Sequence, residues 1–175
     1  MKKTLALLER INDRVSTWAL TLSGLGLLVM TAVTGWQVFG RYVLNDSPQW
    51  VERTTLLLVL YFTFLAGAVG VREESHLGIA FVNDALPAGV RRVVHGAVDL
   101  IVAAFGAVLV WNGALLVIET WDVATPIIKI PEGATYLAIP LGGLLIASYS
   151  LELLLRVLTG IERPRAVDLD EPGPA

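Results

Sequence analysis

Charged side chains are missing from two long stretches, Val15 to Gly40 and Thr54 to Val71, and nearly missing from two more, Val93 to Ile118 and Ala134 to Leu155. Each window holds about 18 to 26 residues, enough for a helix to cross a hydrocarbon core of roughly 30 Å, with some tilt for the longer ones. The pattern predicts an all-α membrane protein with four transmembrane helices, over about residues 15–40, 51–71, 93–118 and 134–155.

Composition agrees with that reading. Of 175 residues, 55% are hydrophobic and 17% charged, and the mean hydropathy is +0.67, too apolar for an ordinary soluble domain. The start, MKKTLALLER, has the basic opening of a signal peptide, but Glu9, Arg10, Asn12, Asp13 and Arg14 interrupt it. The apolar run that follows is too long for a signal core and ends in TGWQVFGR without a small-residue cleavage site, so the first helix is expected to stay. The absence of cysteine excludes disulfides, thiolate chemistry and cysteine-ligated metal.

Charge placement sets the topology. With both termini in the cytoplasm (N-in, C-in), ten of the 13 lysines and arginines lie on the inner side, leaving only Arg41, Arg53 and Lys129 outside. Trp36, Tyr42, Trp50, Trp121 and Tyr136 then gather at the outer interface, and Trp18 and Tyr149 at the inner one.

The loops carry their own signals. Between the second and third spans, REESHLGIAFVNDALPAGVRR intersperses Leu77, Ile79, Phe81, Val82 and Leu86 among charges. It reads as an interfacial segment, broken near Asn83, Asp84 and Pro87 before the third helix rises. ETWDVATPIIKIPEG, before the fourth span, has two prolines around an apolar IIKI core and is a candidate to dip into the interface or meet a partner. The end of the chain, residues 166–175, is acidic and proline-rich, a composition that predicts disorder. The chain thus reads as one four-helix domain over residues 1–165, followed by that tail. Small residues recur four apart at Ala66 and Gly70, Ala103 and Ala107, Ala138 and Gly142, and Gly143 and Ala147, spacing that lets helices approach closely in lipid. Pro140, early in the fourth span, is expected to bend it.

Little in the chain is suited to chemistry. Asp99 is the only charge well inside an apolar run, in the inner third of the third helix, with His95 one turn earlier on the same face and Glu152 and Arg156 at similar depth. Three readings stay open for this group: a structural polar cluster tying helices three and four, a contact with another subunit, or proton transfer. His76 falls in the second loop and His95 at the foot of the third span, not where two facing helices would clamp a haem. No nucleophile motif, phosphate loop, metal cluster or feature calling for nucleic acid stands out, so neither enzymatic activity nor a cofactor is expected.

The outer corner, GRYVLNDSPQWVERTT, is richer. Ser47 can cap the second helix with Pro48 at its first position, which places Glu52 in the positive first turn and Trp50 at the interface. Arg41, ending the first helix, lies at nearly the same depth, so an Arg41–Glu52 pair is geometrically available; the alternative is that both side chains snorkel to water.

The order of these features resembles a known family. RYVLND at the end of the first span, PQWVER, LLLVLYFTFLAGAVGVR, ESHLGI, NDALP and ATYLAIPLGG are together similar to the DctQ-like small membrane subunit of tripartite ATP-independent periplasmic (TRAP) transporters, from about Glu9 to Arg156. Arg41, Trp50, Glu52, the Gly67 region and His76 match the family pattern; Arg53 stands where a second acid is common, and Ser75 where glycine commonly precedes the histidine. The resemblance implies a bacterial inner-membrane, multi-pass scaffold subunit of a sodium-coupled organic acid importer. Its partners would be a large many-span membrane subunit and a periplasmic substrate-binding protein. The alternative is a haem- or quinone-associated membrane anchor of a respiratory enzyme, which a stoichiometric Soret band would reveal.

Overall fold

The computed structural model describes residues 2–45, 49–72, 87–124 and 130–159. They form α1 (Lys2–Tyr42), α2 (Gln49–Arg72), α3 (Ala88–Thr120), the short α4 (Glu132–Tyr136) and α5 (Ala138–Thr159), with one isolated bridge between Ala124 and Pro131. Four units are long and apolar enough to cross a membrane: Leu7–Tyr42, Trp50–Arg72, Gly89–Thr120, and α4 with α5, Glu132–Thr159. The expected interfacial segment with His76 and Phe81, the Ser47–Pro48 cap and the acidic tail lie outside the described residues.

Helix α1 is much longer than the span expected for it. Its 41 residues extend about 60 Å, so the helix continues through the charged lead of Glu9 to Arg14. Lys, Glu, Arg and Leu are good helix formers, and their charges bar the lead from the hydrocarbon core without breaking the helix. One narrow face of α1 turns inward. Asn12, Ser16, Ala19, Ser23, Gly26, Met30, Val33, Gln37 and Gly40 are buried or half-buried, at spacings that alternate between four and three. That is the seam of a left-handed helix pair, built here from small and polar residues so that backbones can come close. At Gly26 the fit leaves no room for a side chain: a Cβ there would lie 2.0 Å from the ring of Phe62 on α2.

Helix α5 is the centre of the bundle, and its packing against α3 is the most extensive in the molecule. A Cβ on Gly106 would lie 2.7 Å from the Ala147 backbone nitrogen and 2.8 Å from the Gly143 carbonyl oxygen, so α3 and α5 touch backbone to backbone. Gly142, one residue round the helix, seats Phe64 of α2 instead. The small pairs Gly143 with Ala147 and Ala138 with Gly142 thus serve two neighbours at once. Ala66 and Gly70 on α2 have no such role in this chain, since Ala66 is exposed and a Cβ on Gly70 would meet nothing within 4 Å.

Pro140 acts as expected, three residues after the break it causes. It has no N–H for the Tyr136 carbonyl, and the helix interrupts at Leu137 between α4 and α5. The ring then packs on α3, where a Cβ on Gly113 would approach its Cδ to 2.8 Å. Ahead of the break, Glu132 N donates to Val123 O at 2.8 Å, and the Tyr61 hydroxyl of α2 donates to Ala134 O at 2.7 Å.

Helix α3 starts at Ala88, after Pro87 and five residues before the apolar window, because Arg91 and Arg92 are helical though too polar to span. Arg92 reaches the end of α5, donating to Val157 O at 2.9 Å and Leu158 O at 3.1 Å, carbonyls that have no partner within their own helix. Asp13 near the start of α1 is paired with Arg72 at the end of α2. Successive spans therefore run antiparallel, and Asp13, Arg72, Arg92 and Leu158 share one side of the bundle.

Candidate functional site

Two polar regions stand apart from the apolar frame, one at each end. The first is built on Glu152, a carboxylate 2% exposed on α5. Asn12 Nδ2 of α1 donates to its Oε2 at 2.7 Å, and Arg156, one turn further along α5, reaches its Oε1 at 3.1 Å. Arg72 of α2 lies 3.9 Å from its other oxygen and pairs with Asp13, while Arg156 also pairs with Glu9 at 2.6 Å. Ser148 closes the set by donating to Asn12 Oδ1 at 3.1 Å. The guanidinium of Arg72 sits 5.6 Å from the centroid of the Tyr149 ring, which adds a cation–π contact.

Burying ions costs several kcal/mol each, and the cost is offset only where charges are paired and their remaining hydrogen-bond sites filled. Here three acids meet two arginines, with an asparagine and a serine supplying neutral donors. The cluster fastens α1, α2 and α5 together at one end of the bundle.

The sequence singled out Glu152 and Arg156, with His95 and Asp99, as a polar group and left its role open. Glu152 and Arg156 also have partners on α1 and α2, because Glu9 and Asn12 continue the buried face of α1, and because Arg72 ends α2 rather than opening a loop, where it also holds the exposed Asp13. Asp99 is buried at 5% exposure and His95 half-buried on α3; neither is without a partner. Glu9, Asn12, Asp13, Arg72 and Ser148 are the members that sequence reasoning missed. The four–three spacing of Asn12, Ser16, Ala19, Ser23 and Gly26 was the signal that α1's packing face continues into its charged lead.

The second region is the corner between α1 and α2. Arg41 stands in the last turn of α1 and Glu52 in the first turn of α2, as the sequence implied, and each complements its helix dipole. Asn45 turns the chain between them with φ 54°, the left-handed conformation that asparagine tolerates. Arg41, Trp50, Glu52 and Arg53 are all exposed. Among the described residues no ion pair joins Arg41 to Glu52. A solvated pair would contribute little, about 0 to 1 kcal/mol. Trp36 and Phe39 flank the corner with ring centroids 5.9 Å apart. Of the residues the sequence singled out, the structure brings Arg41, Trp50 and Glu52 to one exposed corner, and Asp99 and His95 to the opposite half of the bundle.

The described residues contain no group of three or more histidine, aspartate or glutamate side chains able to hold a metal. What the geometry offers is a cross-linked end, an exposed polar corner at the other end, and long apolar faces between them.

Known proteins resemble this chain in sequence. The chain is 33% identical over 92 residues to the sialic acid TRAP transporter small permease protein SiaQ of Vibrio cholerae, a match covering 53% of this chain and 50% of that protein. It is 25% identical over 155 residues to the ectoine TRAP transporter small permease protein TeaB of Halomonas elongata, covering 87% of this chain and 80% of that one. A C4-dicarboxylate TRAP transporter small permease protein of Vibrio cholerae is 24% identical over 155 residues, covering 75% and 67%. In the first of these matches the chain spans only half of the relative's length. Residues 30–160 match the family described as the DctQ component of tripartite ATP-independent periplasmic transporters, and the chain, with its four membrane-crossing helical units, belongs to that family.

Proposed function

We propose that this protein is the scaffold subunit of a sodium-coupled TRAP importer of organic acids in a bacterial inner membrane. It assembles with a large membrane subunit that carries the solute and presents its α1–α2 corner to the periplasmic substrate-binding protein. The observation that carries this reading is the family match over residues 30–160. The charge distribution supports it: Glu9, Asp13, Arg72, Glu152 and Arg156 pair within one cross-linked cluster at one end of the bundle, whereas a solute or sodium path needs polar groups near the midplane.

Relatives named for sialic acid, ectoine and C4-dicarboxylates have in common the carboxylate of their solutes and little else. A subunit common to such different cargoes fits a frame rather than a selectivity site. Arg41, Trp50 and Glu52 would then meet the binding protein outside, and the loop carrying His76 and Phe81 would meet the large subunit inside.

Reconstitution tests this directly. Proteoliposomes holding this chain and the large membrane subunit, supplied with the binding protein, should take up an organic acid when a sodium gradient is imposed. Omitting this chain should abolish uptake. Uptake by this chain alone, or undiminished uptake without it, would reject the scaffold role.

A further inference from the structure

The first turns of α1 sort their charges by face. Glu9 and Asp13 are held by Arg156 and Arg72 of other helices. Arg10 and Arg14 are exposed, and among the described residues neither makes an ion pair. At about 100° per residue, Leu7, Arg10, Ile11, Arg14 and Trp18 fall within an arc of about 100°, opposite the buried positions Leu5, Asn12 and Ser16. Trp18 is 68% exposed, Leu7 60% and Ile11 51%.

Because the acids of this stretch are neutralised by arginines from α2 and α5, the outward face keeps an uncompensated positive charge. Around that charge stand two aliphatic side chains and a tryptophan. This composition suits the boundary of a bilayer: guanidinium groups donate to phosphate, the indole one turn nearer the apolar run settles at the top of the acyl region, and the aliphatic side chains lie along the headgroup layer. The depth agrees, since the Asp13–Arg72 pair marks the level at which the apolar run of α2 ends.

We propose that Arg10 and Arg14, one helical turn apart, form a headgroup site for an anionic phospholipid, with Trp18 beside the upper part of its acyl chains. The site requires that α1 lie in a membrane and is independent of any role in transport. A zwitterionic lipid brings the same phosphate with a compensating ammonium, so net charge discriminates between the two.

The full chain, purified in a non-ionic detergent, is titrated with dioctanoyl phosphatidylglycerol while its melting temperature is followed. Dioctanoyl phosphatidylcholine and inorganic phosphate are run in parallel. Phosphatidylglycerol should raise the melting temperature saturably, and the other two should have little effect. R10Q/R14Q should raise the half-saturating concentration about 30-fold, and each single change about 5-fold. R10K/R14K should retain most of the response. Both side chains are exposed, so the lipid-free melting temperature should not move, which separates loss of binding from loss of folding. A wild-type response in R10Q/R14Q would overturn the site. So would an equal response to phosphatidylcholine or inorganic phosphate, or an equal loss in R91Q, which removes an exposed arginine from the start of α3.

Discussion

Asn12 and Glu152 stand 140 positions apart in the sequence and meet through a 2.7 Å hydrogen bond that joins the lead of α1 to the C-terminal half of α5. The carboxylate it holds also faces the two arginines of the cluster. Glu152→Leu should therefore destabilise the protein by about 3 kcal/mol, because it leaves buried guanidinium groups short of a counter-charge. Asn12→Leu should cost about 1 kcal/mol, the ordinary value for one interhelical hydrogen bond in a membrane protein. The double variant should lose less than the sum, since both changes dismantle one network. Melting in detergent, followed by size-exclusion chromatography, measures all three.

The glycines divide into two groups with opposite expected behaviour. At Gly106 a methyl group would meet backbone atoms of Gly143 and Ala147, which cannot yield as a flexible side chain can. Gly106→Ala should separate α3 from α5 and destabilise by about 1 to 3 kcal/mol. Gly67 on α2 is exposed, and a methyl group there would meet nothing within 4 Å. Gly67→Leu should leave the melting temperature of the isolated chain unchanged. If the large subunit packs on this face, the same change should reduce their co-purification several-fold, a contrast that Gly106→Ala cannot produce.

The four spans were legible because lipid imposes a simple requirement on sequence, about twenty residues with few charges, and each window met it. Helix ends were legible only where a charge coincided with them. Arg91 and Arg92 excluded themselves from the third span on polarity, yet they are helical, because Arg92 finds carbonyl acceptors at the end of α5. The inner cluster was half visible. Glu152 and Arg156 stood out as charges near an apolar run, whereas Glu9, Asn12 and Asp13 looked like a solvated lead. Charge alone cannot tell a solvated acid from a paired one: the buried seam of α1 fixes the face of Glu9 and Asn12, whereas Asp13 stands off the seam and is paired because Arg72 ends α2 beside it.

Two smaller contacts tie α2 and α3 to the ends of the last span, and each can be removed by one substitution. Tyr61→Phe deletes the donor to Ala134 O without changing shape, at an expected cost of about 1 kcal/mol. Arg92→Ala uncovers the carbonyls of Val157 and Leu158 at a partly solvated helix end, where water can replace the guanidinium. Its effect should be smaller than that of Tyr61→Phe, and hydrogen exchange should show it as faster opening of the last turn of α5.

Arg41 and Glu52 give the sharpest test of the outer corner. Both are exposed, and among the described residues they form no ion pair with each other, so Arg41→Ala and Glu52→Ala should each leave stability of the isolated chain within about 0.5 kcal/mol of wild type. Their effects on stability should be additive, with no coupling in a double-mutant cycle. If the corner meets the binding protein, both variants should lower uptake by the reconstituted three-part system and should weaken further as salt rises, because each retains one half of a screened charge pattern. Exchanging the two charges should fail to restore uptake, since each would face the wrong group on the partner. Restoration by the exchange, together with coupling in the isolated chain, would show instead that the two side chains pair with each other and that the corner is a closed clasp rather than a docking surface.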